Sequence, residues 1–260
     1  MDLFLKNKVI PVTGGAKGIG EGIVRTLAAE GAIPVIVGRN QEDNLRLLAE
    51  ISSSSPESIE ITAELTDPTA CQFVVEQLVK TYGRVDGLVN NAGVNDGVGL
   101  EKGDYSSFIS SLHKNLVHYF LMAHHCLPYL KKSRGAILNI SSKTGETGQG
   151  GTSGYAAANG GRNALTREWA VELLPFGIRV NAIIVSECYT PLYKKWVESF
   201  SNSEQKLREI SNRIPFGKRM TTEQEIANMA VFLLSERSSH TTGQLMYVDG
   251  GYVHLDRAIN

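Results

Sequence analysis

The sequence predicts an α/β fold, a parallel sheet covered by helices on both faces, and three observations carry that expectation. Short apolar runs alternate with longer segments of helical periodicity along the chain, the rhythm of repeated βα units. The apolar runs are nearly continuous rather than alternating with polar residues, as strands buried on both sides require. No linker or repeat interrupts the rhythm, and Ser52 to Pro56 is only a loop.

In order, Val9 to Thr13 reads as the first strand and Ile19 to Ala29 as its helix. Ile33 to Val37 precedes a helix over Asn44 to Ile51, and Ile59 to Ala63 precedes one over Cys71 to Tyr82. Gly87 to Asn90 is a fourth strand, followed by helical Phe120 to Leu130. Ala136 to Ile140, a long helix from about Tyr155 to Leu174, Ile178 to Ile184, a helix over Ile226 to Leu234, and Leu245 to Val248 complete seven strands. Tyr189 to Pro215 breaks the rhythm; helical, mixed in polarity and set between two strands, the 189–215 segment reads as a substrate lid. Pro11 stands in the middle of the expected first strand, where it removes a ladder donor, and nothing in the sequence compensates for it.

A chain of 260 residues with this pattern is expected to form one domain over 1–260. With a formal net charge of -1 it offers no basic field to a phosphate backbone, so nucleic acid is not an expected partner. Cys71, Cys126 and Cys188 lie far apart, an odd number without metal-type spacing, which fits a reducing cytoplasm. The N-terminal stretch carries Asp2, Lys6 and Lys8 within its apolar runs and resembles neither a signal peptide nor a membrane span. His113, His118, His124 and His125 cluster in sequence without recruiting a carboxylate, and no metal site is expected.

Chemistry first shows at the turn after the first strand, Thr13-Gly14-Gly15-Ala16-Lys17-Gly18-Ile19-Gly20. Small residues between a strand and a helix let backbone approach a pyrophosphate, which then meets the amides at the helix N-terminus. About twenty residues on, where an acid would bind a ribose 2'-hydroxyl, stand Gly38 and Arg39. No carboxylate repels a 2'-phosphate there, and Arg39 and Lys17 can bind one, so NADP is expected over NAD; both cations merely solvated is the alternative.

The turn departs from G-x-G-x-x-G and matches the TGxxxGxG turn of the short-chain dehydrogenase/reductase family. Asn90-Asn91-Ala92-Gly93, Asn115, Asn139-Ile140-Ser141-Ser142, Tyr155, Arg179-Val180-Asn181-Ala182 and Val248-Asp249-Gly250-Gly251 follow in the family's order. The chain thus resembles that family over nearly its whole length. The resemblance implies a doubly wound Rossmann-type sheet of order 3-2-1-4-5-6-7, a homotetramer, and a cofactor held by Gly14, Lys17, Gly18, Ile19, Gly20, Arg39, Glu64, Leu65, Asn91, Ala92, Gly93, Tyr155 and Thr190. Gly93 to Gly97, Ser142-Lys143-Thr144, Thr147 to Gly150, Thr190 to Tyr193 and Val253 to Arg257 are similar to stretches of bacterial aldose dehydrogenases acting on L-fucose and related sugars.

In the family a tyrosine is the general acid/base, a serine polarises the substrate oxygen, an asparagine kinks a helix and holds a relay water, and a lysine four residues after the tyrosine favours its ionised form. Tyr155, Ser142 and Asn115 match the first three, but the lysine position holds Asn159. An amide can bond a ribose hydroxyl yet exerts no Coulomb attraction on a phenolate, and a free phenol has a pKa of about 10. Three readings stay open: an engineered or damaged enzyme, a dinucleotide binder without turnover, or an enzyme whose cation comes from elsewhere. Binding without efficient neutral turnover is expected, with Asn159→Lys raising kcat by about 10² to 10³. Lys143 and Arg162 are the nearby cations, and Arg162, two helical turns from Tyr155, reads as a helix-surface or interface residue.

Glu187 follows the sixth strand, where a carboxylate would accept bonds from hydroxyls and disfavour an acyl chain. Asn95, Lys143, Gln149, Tyr193 and Trp196 are secondary contacts, with loop or lid packing as the alternative. The expected activity is therefore NAD(P)-dependent oxidation of a sugar or polyol hydroxyl. Small-carbonyl or 3-ketoacyl reduction and non-catalytic dinucleotide binding are the alternatives.

Overall fold

The computed structural model describes residues 1–256, so Arg257 of the Val253 to Arg257 stretch lies outside them. Seven parallel strands form one sheet, β1 (Val9–Thr13), β2 (Ile33–Gly38), β3 (Glu60–Thr62), β4 (Gly87–Asn90), β5 (Ala136–Ser142), β6 (Arg179–Val185) and β7 (Leu245–Val248). Their order is β3-β2-β1-β4-β5-β6-β7, so the chain reverses direction across the sheet between β1 and β4. Helices α1 (Gly18–Ala29), α2 (Gln41–Ile51), α3 (Pro68–Tyr82), α4 (Tyr105–Leu112), α5 (His118–Ser133), α6 (Ser153–Glu172), α7 (Pro191–Val197), α8 (Ser203–Asn212) and α9 (Glu223–Leu234) surround it.

The two-residue period of the strands divides the core. Ile10, Val12 and Ile36 pack with Ile23, Leu27, Leu47 and Ala230 under α1, α2 and α9. Val9, Val35 and Val37 face the other way, onto Val74, Tyr119, Met122 and Trp169 of α3, α5 and α6. Burial on both faces is why these runs are uninterrupted by polar residues.

Pro11 finds its account in this register. Val9 turns both its N–H and its C=O to Asp86 at the head of β4, so Pro11, two residues on, faces the same side. Toward β2 the register is unbroken from Val9↔Ile33 to Thr13↔Val37, whereas toward β4 it holds at Val12↔Val89 alone. The missing amide falls on the side where β1 is sparsely paired.

Several elements begin earlier than periodicity suggests, because polar caps set their starts. The Asn40 side chain accepts from the Asp43 amide at 2.9 Å, and Asp67 accepts from that of Thr69 with Pro68 at the first helical position. Helix α4 starts on a capping box between Asp104 and Ser107 and runs through a π-helical segment, His113–Val117, into α5. Periodicity delimits only the last part of this long run, Phe120 to Leu130, although Asn115 is also expected in a helix. The 189–215 segment contains α7 and α8. Among the described residues no helix is long and apolar enough to cross a membrane. Burial pushes the Cys71 thiol up to about 11 and those of Cys126 and Cys188 to about 12, which suppresses the reactive thiolate.

Candidate active site

The site lies at the C-terminal ends of the strands, where the order reverses between β1 and β4 and a crevice must open. Gly14 and Gly18 hold φ of 63° and 57°, which lets the chain turn back into α1. A methyl group on Gly20 would stand 2.2 Å from the Gly14 carbonyl oxygen, so turn and helix touch through bare backbone. Opposite, Asn91 donates from its side chain to the carbonyls of Thr13 at 2.9 Å and Gly14 at 3.2 Å. The Thr13 hydroxyl in return accepts from the amides of Asn91 and Ala92. The glycine turn and the Asn91–Gly93 loop are thereby one bonded unit. Unlike α2, α3 and α4, helix α1 has no side-chain cap, so its first amides are left to an anion. Ile19 anchors the turn from below, packing partly buried on the core.

At the end of β2, a side chain on Gly38 would meet Asn44 Oδ1 at 2.5 Å. Asn44 is itself buried and donates to the Gly38 carbonyl, so the strand end cannot take a carboxylate without displacing it. The two flanking cations are exposed; Lys17 pairs closely with the partly buried Asp43 at 2.6 Å, and Arg39 loosely with Glu64 at 3.6 Å. Glu64 also accepts from Thr66, and Leu65 beside it is buried. Thr190, the cap of α7, lies across the turn, with its side chain 3.2 Å from where a Gly18 Cβ would be.

Ser142 ends β5 and caps the short turn Lys143–Gly145, accepting from the Thr144 amide at 3.3 Å. That turn lies on α6: a Gly145 Cβ would meet the Gly160 nitrogen at 2.9 Å. Tyr155 stands in the first turn of α6. Asn115 is buried in the π-helical segment, its side chain accepting from the Val94 amide at 2.7 Å and donating to the Ser111 carbonyl. A π segment loosens the regular ladder, and such segments often stand at functional sites.

Asn159 is also buried, donating to the Tyr155 carbonyl at 2.8 Å. Its Oδ1 accepts from Arg162 Nη1 at 3.1 Å, which corrects the sequence reading of Arg162 as a helix-surface or interface residue. Arg162 is 3% exposed. The spacing from Tyr155 through Asn159 to Arg162 is i, i+4, i+7, one stripe of α6, and that stripe faces inward.

Of the five secondary contacts, three gather around Glu187. One oxygen of Glu187 is bonded to the Lys143 ammonium and the other accepts from the Tyr193 hydroxyl at 2.6 Å, while Tyr193 packs edge-on to Trp196. Burial first and the Glu187 carboxylate second push the Tyr193 phenol above its ordinary value, so it stays a neutral donor. The sequence reading did not include Tyr252, whose ring lies 3.9 Å under the Lys143 ammonium. Gln149 is apart, lining a cavity of about 310 Å³ with Thr144, Glu146 and Ala156. Asn95 is exposed and bonds within its own loop, to the Gly97 amide.

Comparison with known proteins agrees with this architecture. The family described as enoyl-(acyl carrier protein) reductase matches residues 14–253. The chain is 36% identical to the 3-oxoacyl-[acyl-carrier-protein] reductase FabG of Thermotoga maritima, over 96% of this chain and 99% of that one. It is 34% identical to the L-fucose dehydrogenase of Bos taurus, over 94% and 88%. Among solved structures, the dehydrogenase Cj0485 superposes with a TM-score of 0.96 at 47% identity, over 100% of this chain and 99% of the other.

Proposed function

The chain belongs to the short-chain dehydrogenase/reductase family, whose members bind NAD(P), and from that membership we propose that it oxidises a hydroxyl of a sugar or polyol, preferring NADP. Bound NADP supplies the hydride acceptor. The turn Gly14–Gly20 and the loop Asn91–Gly93 suit a dinucleotide because the glycines let turn, helix and loop pack backbone to backbone, which presents the uncapped start of α1 to a pyrophosphate. The NADP preference is supported by Arg39, whose pair with the exposed Glu64 is long and would yield to a 2'-phosphate, with Lys17 as a second cation if it leaves Asp43.

In the oxidative direction Ser142 donates to the substrate oxygen and Tyr155 takes the hydroxyl proton. The substrate C–H bond breaks as its C=O bond forms; the two electrons leave with the hydride, and the proton passes from Tyr155 to solvent. The observation that carries the substrate class is the Glu187 cluster. A carboxylate held by an ammonium and a phenol keeps lone pairs for hydroxyls, whereas an acyl chain laid against it would strand charge. With the aldose reading, C1 oxidation yields a lactone and NADPH.

A second reading, reduction of a small ketone or 3-ketoacyl group, is supported by the 36% identity to the FabG protein. Turnover measured on a panel of aldoses and apolar ketones with both dinucleotides separates them. Aldose oxidation with NADP is the expected outcome, and activity confined to apolar ketones would replace the first reading with the second. Dinucleotide binding with no turnover on any substrate would leave only the non-catalytic alternative.

A further inference from the structure

The site contains a tyrosine without the cation that its chemistry requires at Asn159, and a buried cation without a carboxylate. We infer that Arg162 supplies, from beneath the site, the fixed positive charge that supports Tyr155 as acid/base, with Asn159 as the spacer that aims it. The inference rests on the oxidoreductase reading and deepens it.

The guanidinium is held by three acceptors on three elements. Nε donates to the Asn115 carbonyl at 2.6 Å, and Nη1 to the Ile140 carbonyl and to Asn159 Oδ1, each at 3.1 Å. The plane lies over the Tyr119 ring, 4.2 Å from its centroid. Among the described residues Nη2 is buried and without a partner, and it points to the Asn91–Gly93 loop: a Gly93 Cβ would come within 2.8 Å of it. No carboxylate is within ion-pair distance among the described residues. A guanidinium keeps its proton at any physiological pH, so this is a full charge out of water with only neutral dipoles around it. A merely structural role would be served more cheaply by an apolar side chain.

Direction matters as well as charge. Helical side chains lean toward the N-terminus, and the contact of Nη1 with Asn159 shows the Arg162 head reaching one turn back, toward the turn that carries Tyr155. Asn159 ties the two together, since its amide group donates to the Tyr155 carbonyl while its oxygen receives Arg162. The other charged groups around the site do not compete. Lys143 is neutralised by Glu187, and Lys114 pairs with Asp96 at 3.3 Å. Tyr193 and Tyr119 are kept neutral chiefly by burial. His118 is held down to about 4 by burial and then by Arg162 itself, and Glu146 at the loop accepts from Asn163.

This reverses the sequence expectation for Asn159→Lys. A lysine there would set its ammonium against Nη1, so the single substitution should slow turnover, while Asn159→Lys with Arg162→Val should restore it.

Two readouts test the inference: the pH profile of kcat, and the ultraviolet titration of the Tyr155 phenol in the substrate-free protein, taken as the difference from Y155F. R162Q keeps donors but no charge, and R162K keeps charge but no fork. R162Q should lower neutral kcat about 10²-fold and move both profiles to higher pH, with dinucleotide Kd changing far less. R162K should recover part of both. If R162Q binds the dinucleotide normally and leaves rate and titration where they were, Arg162 is not the cation. Should R162Q fail to fold, R162K against the double variant decides by the same titration, and equal phenol titration in the original protein and the double variant is expected. A substantial difference overturns the inference. Because the titration needs no substrate, an inactive aldose panel with an Arg162-dependent phenol refutes the function alone. Active aldose turnover with an Arg162-independent phenol refutes this inference alone.

Discussion

Glu187 is fixed from two sides by Lys143 and Tyr193, and each contact constrains what its removal would do. On the proposed function, Glu187→Ala removes an acceptor for sugar hydroxyls and leaves the mostly buried Lys143 ammonium over the Tyr252 ring without its carboxylate. A charged hydrogen bond of about 1.5–3 kcal/mol corresponds to a KM for sugar raised roughly 10- to 100-fold, while the KM for NADP should move little. Steady-state kinetics with each ligand varied in turn reads the split, and equal effects on both would remove Glu187 from the substrate half. What the sequence showed at this scale was residue identity in order. Tyr155, Ser142, Asn115 and the glycines carried their own signals. Arg162 did not, because its meaning depends on Asn115 and Ile140, distant in sequence, whose carbonyls it joins. The inward stripe of α6 was the one signal that could have found it.

At the scale of elements, the π-helical segment and α5 bring Asn115, His118 and Tyr119 around the Arg162 guanidinium. His118, which is bonded to the Lys114 carbonyl, is held down to about 4 from an ordinary 6.5. The unfolded chain therefore takes up the proton first as pH falls, and stability is lost in that window. Stability should be flat with respect to this group above pH 6.5 and decline toward about pH 4, by on the order of 3 kcal/mol in all. Denaturant melts of the protein and of H118N across that range check it: the asparagine variant should lose the slope attributable to this group. Strands were legible because burial on both faces gives unbroken apolar runs. Helix starts were less so, since Asn40, Asp67 and Asp104 set them by capping rather than by periodicity. Asn115 was legible as a helix residue, but the start of α4 at Tyr105 and the π geometry around Asn115 were not, because serines and a half-buried face blur the helical stripe there.

For the whole molecule, the outer faces of α5 and α6 leave Phe120 and Val171 exposed, beside a shallow cleft lined by His124, Leu127, Trp169 and Leu173. We propose that this face joins copies of the chain, in keeping with the homotetramer that the family resemblance implies. Light scattering at micromolar concentration should return four times the 28.3 kDa of one chain, and a monomer would refute it. In the proposed reaction a hydride moves from a sugar carbon to NADP, with Tyr155 taking the proton. The most direct measurement uses an aldose deuterated at C1 with NADP near neutral pH, and reads the reduced dinucleotide by NMR. Deuterium at the nicotinamide ring and a slower rate than with the unlabelled sugar are the expected result. Sugar and dinucleotide both bound, with no label reaching the nicotinamide at any pH, would contradict it.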